Sequence, residues 1–425
     1  MIGGKQKGVV VAGAIGNALE WYDFTIYAFF VPIIAKQFFP HKDPFLSLLA
    51  TFGVFAVGFL VRPFGAVLFG YIGDHVGRKK ALIISMIMMS FPTFLIGLLP
   101  NYQHIGLAAP ILLVLLRIVQ GLAVSGELTT ATVFLIEHAD VDKRGIAGSL
   151  AMSSALLGMV FSAVFATLTS QLLIDENLML WGWRLPFLLG GLIGIMGLIV
   201  RLRSIDPSIY LNHKESSNKV NLWVHLRSLP VNTVVVGIFL TSVMACSNYF
   251  LVAFFNTFLV TTEGLALRPV MVINAVAITL QVILTVVMGR ISDFVGRKLV
   301  LGLGMVSMAC AIYPIFWMLT QKSLFFAFLG EITFACVASM LTGLIPTTLA
   351  EMFDTFNRNT GISVSYNLSL ALFGGTAPLI ALSLVAWSHN VFAPAWYMLT
   401  CATCAFFALL TISESYQKDF CVPGS

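Results

Sequence analysis

Apolar runs, each ended by charged residues or a Pro/Gly break, divide this chain from end to end. A helix crosses the hydrocarbon of a bilayer with about 20 mainly apolar residues. Twelve runs meet that length, roughly 9–38, 46–73, 81–99, 107–137, 146–174, 183–202, 233–262, 268–289, 299–320, 324–351, 360–388 and 392–413. Only 10% of the residues are charged and 58% are hydrophobic. A water-soluble domain carries about 25% charged residues, so this chain lacks the charge to cover itself in water. In lipid the backbone must satisfy its own hydrogen bonds, which leaves helices or a closed barrel, and uninterrupted runs of this length specify helices. The expected fold is an all-α membrane protein of twelve transmembrane helices. The first run starts near Val9 without a small-residue cleavage site and reads as a retained span, not a signal peptide.

Lys and Arg set the orientation. With the N-terminus in the cytoplasm, the inner loops hold 17 of the 24 basic residues and the outer loops five, while Arg62 and Arg117 lie inside spans. Both termini are therefore expected to be cytoplasmic. The net charge of +5 is spread over short loops, which fits topology and excludes a nucleic-acid surface. The six Cys and seven His form no metal-ligand or disulfide pattern. No metal or cofactor is expected, and a proton carrier inside the membrane has to be a carboxylate. The polar loop 203–230 is read as a cytoplasmic linker between bundles 1–202 and 231–425.

The two halves repeat one another. GYIGDHVGRKKAL (70–82) follows the second span and GRISDFVGRKLVL (289–301) the eighth, so Asp74 matches Asp293 and Arg78 matches Arg297. EHADVDKRG (137–145) is echoed by EMFDTFNRN (351–359), pairing Glu137 with Glu351 and Arg144 with Arg358. Parallel six-span repeats imply two similar bundles with a site between them near the midplane.

Ionisable side chains inside spans cost at least about 2.5 kcal/mol each and mark function; six stand out, Glu20, Asp23, Arg62, Arg117, Glu127 and Glu331. Gly16, Glu20, Asp23 and Tyr27 share one helical face, expected to line a cavity. Glu20 and Asp23 are close enough to couple, and either, or Glu127, is a candidate for the travelling proton; the alternative is a static ion pair with Arg62. Arg117 and Gln120 fall on the Glu127 side of the fourth span, where Arg117 suits a substrate carboxylate or Asp23. The second half offers Asn248, Asn256, Asn274, Gln281, Glu331, Tyr366 and Asn367, either for reading a substrate or as helix–helix glue. At the loop signatures, Asp74 and Asp293 can accept from helix N-terminal amides. Arg78, Glu137, Arg144, Arg297, Glu351 and Arg358 can then close the cytoplasmic side as breakable salt bridges.

GYIGDHVGRK resembles the loop signature of the major facilitator superfamily, GxxxDxxGRK, and the copy after the eighth span is its weaker second occurrence. GNALEWYDFTIYAFF (16–30), RPFGAVLFGYIGD (62–74), RIVQGLAVSGELTTATVFLIEHA (117–139), WGWRLPF (181–187) and AEMFDTFNRNTGISVSYNLSLALFGGTAPLI (350–380) are similar to its metabolite:proton symporter branch. That branch carries proline/betaine, citrate, 2-oxoglutarate and shikimate. The resemblance implies two pseudo-symmetric six-helix bundles and a loop signature that stabilises the outward-facing state. Where the branch usually has GGE and then GA, this chain has Ser125-Gly126-Glu127 and Thr129-Thr130, which implies a changed helix contact or pocket lining. It ends soon after the last span without the coiled-coil tail of some osmosensing members, so osmotic activation is not carried over. The expected function is a proton-coupled symporter, monomeric and in a bacterial-type inner membrane, that imports a small polar metabolite by alternating access. Four acids and two arginines inside spans suit an amino acid or betaine-like zwitterion; a mono- or dicarboxylate is the alternative. A drug/proton antiporter fits less well, because the fifth span, GSLAMSSALLGMVFSAVFATL, has no Pro. An enzyme would need a nucleophile with a base, and a receptor an added signalling domain.

Overall fold

The computed structural model describes residues 4–75, 78–123, 127–203, 229–355, 357–414 and 416, and among these it holds helices and turns without a strand. Among the described residues, nine helices are long and apolar enough to cross a membrane. A further span is the pair Gly16–Phe29 and Val31–Phe38, bent by 65°, and the shorter apolar helices Ile83–Leu98 and Gly182–Leu198 take the third and sixth positions. Among the described residues these elements fall one to one on the twelve runs read from the sequence. The chain is thus a multi-pass membrane protein. Most of the linker expected at 203–230 lies outside the described residues.

Breaks in the spans have local causes. Pro32 sits in the first turn of Val31–Phe38, where its missing N–H leaves the chain free to turn after Phe29. The second span is divided at Val61, so that Arg62 opens its second segment, Arg62–His75. The seventh span passes from Val231–Tyr249 through a π-helical turn, Phe250–Phe254, into Phe255–Thr261. The eleventh does the same at Leu370–Gly374, between Arg358–Ser369 and Ala377–Ser388. A π-turn leaves backbone carbonyls out of register with the α ladder and is common at functional sites.

Two seams join the first six spans to the last six. The fifth span, Val141–Leu172, runs along the eighth, Leu267–Val295. The second packs on the eleventh, where the Phe59 ring lies on the bare backbone of Gly375. Within the first half, the second and fourth spans approach at backbone distance: a methyl group on Gly121 would overlap the carbonyl of Gly58, and one on Gly65 would overlap that of Leu122. Small residues permit such contact in lipid, where van der Waals packing replaces the hydrophobic drive. Gly121→Ala is therefore expected to destabilise the protein by about 1–3 kcal/mol. Gly53→Ala, with open space around the new methyl, is expected to leave stability unchanged. Thermal melting of the two variants in one detergent checks the contrast, and equal melting would contradict the close-packing account.

Candidate functional site between the two halves

Arg62 and Arg117 are sealed in the centre of the bundle, 1% and 0% exposed. The Arg62 guanidinium lies 4.2 Å from the Phe59 ring centre, 4.4 Å from Phe24 and 5.2 Å from Trp21. Arg117 lies 4.4 Å from Phe24, 4.6 Å from Tyr27 and 5.5 Å from Phe55. Aromatic faces stabilise a desolvated guanidinium without neutralising it. Neither arginine has an ion pair among the described residues. Nε and Nη2 of each also lack hydrogen-bond partners there. Planar donors held in this way form a fork suited to a carboxylate.

Arg117 is wired to Asp23 through neutral groups. Its Nη1 donates to Gln120 Oε1 at 3.0 Å, and Gln120 Nε2 donates to Thr93 Oγ1 at 2.7 Å. The Asp23 carboxyl lies beside Ser90 and Thr93 of the third span, the Thr93 hydroxyl itself donating to Met89 O at 2.9 Å, and Gly190 of the sixth leaves room for it. Asp23, Glu20 and Gly16 line a cavity of about 20 Å³ with Ser85 and Ser90, about the space of one water. Tyr27 does not share it. It stays on the same face but about 6 Å further along the axis than Asp23, where its ring stacks on Phe55 and its hydroxyl donates to Thr51 O at 3.1 Å. Asp23 makes no ion pair with Arg62; Glu20 is the carboxylate whose charge reaches Arg62.

From the second half, Tyr249 meets Phe59 edge-on at 4.7 Å and Phe55 at 5.9 Å, with its hydroxyl beside Arg62. Tyr366 of the eleventh span faces Arg62 and Glu20. The amides of this half turn mostly to one another. Gln281 Nε2 donates to Asn248 Oδ1 at 2.8 Å, and Thr342 Oγ1 closes the group at 3.1 Å. Asn274 donates to Glu331 at 2.8 Å and Asn367 to Ser363 O at 2.9 Å. Asn256, 1% exposed, has neither amide atom partnered among the described residues. The sequence thus named Glu20, Asp23, Arg62, Arg117, Gln120, Tyr27 and Tyr366, which gather at the centre, and missed Thr93, Tyr249 and the aromatic faces. The aromatics read as ordinary core; the position of Tyr249 next to Asn248 was the one available signal. The side chains of Glu127, Asp74 and Arg78 lie outside the described residues.

At the end rich in Lys and Arg, Asp293 bridges the halves. Its Oδ1 accepts from Gly145 N at 2.8 Å and its Oδ2 from Ile146 N at 2.9 Å, the first amides of the fifth-span helix that begins at Arg144. Arg297 holds the same carboxylate at 2.8 Å and reaches Glu351 at 3.4 Å. Glu137 pairs across the halves with Arg358 at 2.6 Å. Arg268, at the opposite end of the eighth span, donates to the fifth-span carbonyl of Leu173 at 2.9 Å and pairs with Asp175 at 2.8 Å. The eighth span therefore lays an anion on one end of the fifth helix and a cation on the other, the signs that a helix dipole favours.

Residues 13–378 match the Major Facilitator Superfamily, and the chain belongs to that family. It is 33% identical over 426 residues to the glycine betaine/proline/ectoine/pipecolic acid transporter OusA of Dickeya dadantii (strain 3937), covering 98% of this chain and 85% of the relative. With the proline/betaine transporter of Escherichia coli (strain K12) it is 32% identical over 428 residues, again covering 98% and 85%. A crystal structure of a D-xylose-proton symporter superposes with a TM-score of 0.74 at 18% identity over 96% of this chain and 98% of that one. The xylose transporter XylE of E. coli in a partially occluded inward-open conformation gives 0.75 at 17% identity, over 95% and 97%. The fold is the major facilitator fold, and the chain is a membrane transporter rather than an enzyme.

Losing the Asp293 cap is expected to cost about 0.5–2 kcal/mol, roughly a 2- to 30-fold shift toward forms open at that end. In a cysteine-free background, Asp293→Asn should raise the maleimide reactivity of Ser149→Cys by that factor, whereas Arg268→Ala should not. Unchanged reactivity in Asp293→Asn would contradict the bridging role.

Proposed function

We propose that this protein is a proton-coupled symporter that imports a small zwitterion of the betaine or proline kind by alternating access between bundles 1–202 and 231–425. The observation that carries this reading is the pair of buried guanidiniums with unpartnered donors at the seam of the two halves, one of which, Arg117, reaches through Gln120 and Thr93 toward a buried carboxyl. A zwitterion answers both features. Its carboxylate takes the guanidinium fork, and its cationic end takes the Tyr249 ring. The relatives named for glycine betaine and proline support the same chemistry.

A proton on Asp23 removes a buried charge at the moment the substrate carboxylate supplies one to Arg117, so the two ligands balance the core together. Glu20 and Glu127 remain further proton positions. Tyr27, Arg62, Tyr366 and Asn256 complete the substrate contacts, while Asn248, Gln281, Asn274 and Asn367 shape the second-half wall. Asp74, Arg78, Glu137, Arg144, Asp293, Arg297, Glu351 and Arg358 form the gate on the cytoplasmic side, where both termini lie. The protein works as a monomer in a bacterial-type inner membrane. Two guanidiniums also suit a dicarboxylate, which is the second reading.

In proteoliposomes, Asp23→Asn is expected to abolish proton-driven accumulation of glycine betaine or proline while leaving exchange within about twofold. Full accumulation in that variant would remove Asp23 from the coupling role. Arg117→Lys keeps the charge and loses the planar fork. It is expected to weaken affinity by tenfold or more, about 1.4 kcal/mol; unchanged affinity would count against carboxylate recognition there. Stronger stabilisation by dicarboxylates than by zwitterions would favour the second reading.

A further inference from the structure

Among the described residues, Glu331 is the one fully buried carboxyl of the second half that the mechanism above leaves unused. It lies on the tenth span, Leu324–Met352, is 0% exposed, and has no ion pair among the described residues. Its Oε2 accepts from Asn274 Nδ2 at 2.8 Å. The same Asn274 nitrogen also donates to Leu251 O at 2.7 Å, a carbonyl inside the π-turn Phe250–Phe254 that follows directly on Tyr249. Two atoms of this cluster have no partner: Glu331 Oε1 and Asn274 Oδ1. Both are acceptors, and both belong to groups already in contact. One proton on the carboxyl supplies the missing donor and turns the contact into an acid–amide pair.

Among the described residues, no other charged group pairs with the cluster. On the eighth span Arg268 lies at one end and Arg290 and Asp293 at the other, while Arg297 and Lys298 begin the ninth. Arg144 of the fifth, Arg358 of the eleventh and Glu137 of the fourth stand at the Asp293 end, as does Glu351 of the tenth span itself, twenty residues or about 30 Å from Glu331. Cys336 is the nearest titratable group on its own helix, and the seventh-span π-turn has none. A carboxylate sealed in such surroundings without a cation is far costlier than a carboxylic acid. If the residue served helix packing alone, a glutamine would make the same hydrogen bonds without that cost.

We propose that Glu331 is a second proton site, loaded in the arrangement seen here, whose amide partner Asn274 holds the π-turn that seats Tyr249 against Arg62. The step is an acid–base one: an O–H bond forms on the carboxyl when the proton enters from one side and breaks when it leaves on the other. Proton loading in the second half is thereby linked through Leu251 and Tyr249 to the substrate site. This rests on the reading of the chain as a proton-coupled transporter.

The test is the number of protons moved per glycine betaine or proline in proteoliposomes, read from reversal potentials, for the wild type and Glu331→Gln. One proton fewer in the variant, with exchange kept within about twofold, is expected; at a gradient of one pH unit, accumulation would then fall about tenfold. An unchanged ratio in the variant overturns the proposal. Absence of proton-driven uptake in the wild type would instead overturn the transporter reading beneath it. If Glu331→Gln also loses exchange, modification of wild-type Glu331 by an apolar carbodiimide, located by peptide mass spectrometry, decides. Labelling that rises as pH falls supports the proton site, and pH-independent labelling overturns it.

Discussion

Two guanidiniums sealed from water, with no ion pair among the described residues, are the constraint on which the rest of the structure turns. Arg62 and Arg117 are held by aromatic faces and a few neutral hydrogen bonds, and no ion pair among the described residues completes them. Breaking the balance of buried charge is expensive, because desolvation can exceed the Coulombic gain even for a good pair. A substrate that brings its own carboxylate relieves this cost, and a proton on Asp23 keeps the sum from tipping the other way. In the proposed mechanism, binding and proton uptake are two parts of one electrostatic balance, coupled through Gln120 and Thr93 rather than by direct contact.

Alternation needs both ends of the bundle to open at small cost. The fifth and eighth spans provide this by placing charges at helix termini. Asp293 satisfies the first amides of the fifth helix, and Arg268 the carbonyl of Leu173 that caps its other end. Either terminus exposed by a rocking motion passes to water, which solvates the same groups. The net cost of breaking each contact is thereby reduced. The small residues along the seam, Gly145 against Gly289 among them, let the halves meet closely without interlocking side chains.

The spans were legible because lipid leaves the backbone no other choice, and the repeat was legible because loop signatures must recur where the bundles meet. Charged members of the site, such as Asp23 and Arg117, were legible because their cost in a membrane makes them conspicuous. Thr93, Tyr249 and Phe59 were not, since a hydroxyl or an aromatic ring inside an apolar run looks the same whether it packs or binds. The amides Asn248, Gln281 and Asn274 were visible as polar residues, but sequence does not reveal partners, and these three spend their hydrogen bonds within the second half. Arg268 counted in the sequence as a loop charge; its place on the end of the fifth helix depends on the angle at which two distant spans cross.

The central claim is that the carboxylate of the substrate completes the buried arginines. Thermal stabilisation of the purified protein by glycine betaine, compared with choline, isolates that group: both carry a quaternary ammonium, and choline lacks the carboxylate. The account predicts that glycine betaine raises the melting temperature and choline does not. Equal stabilisation by the two would contradict it.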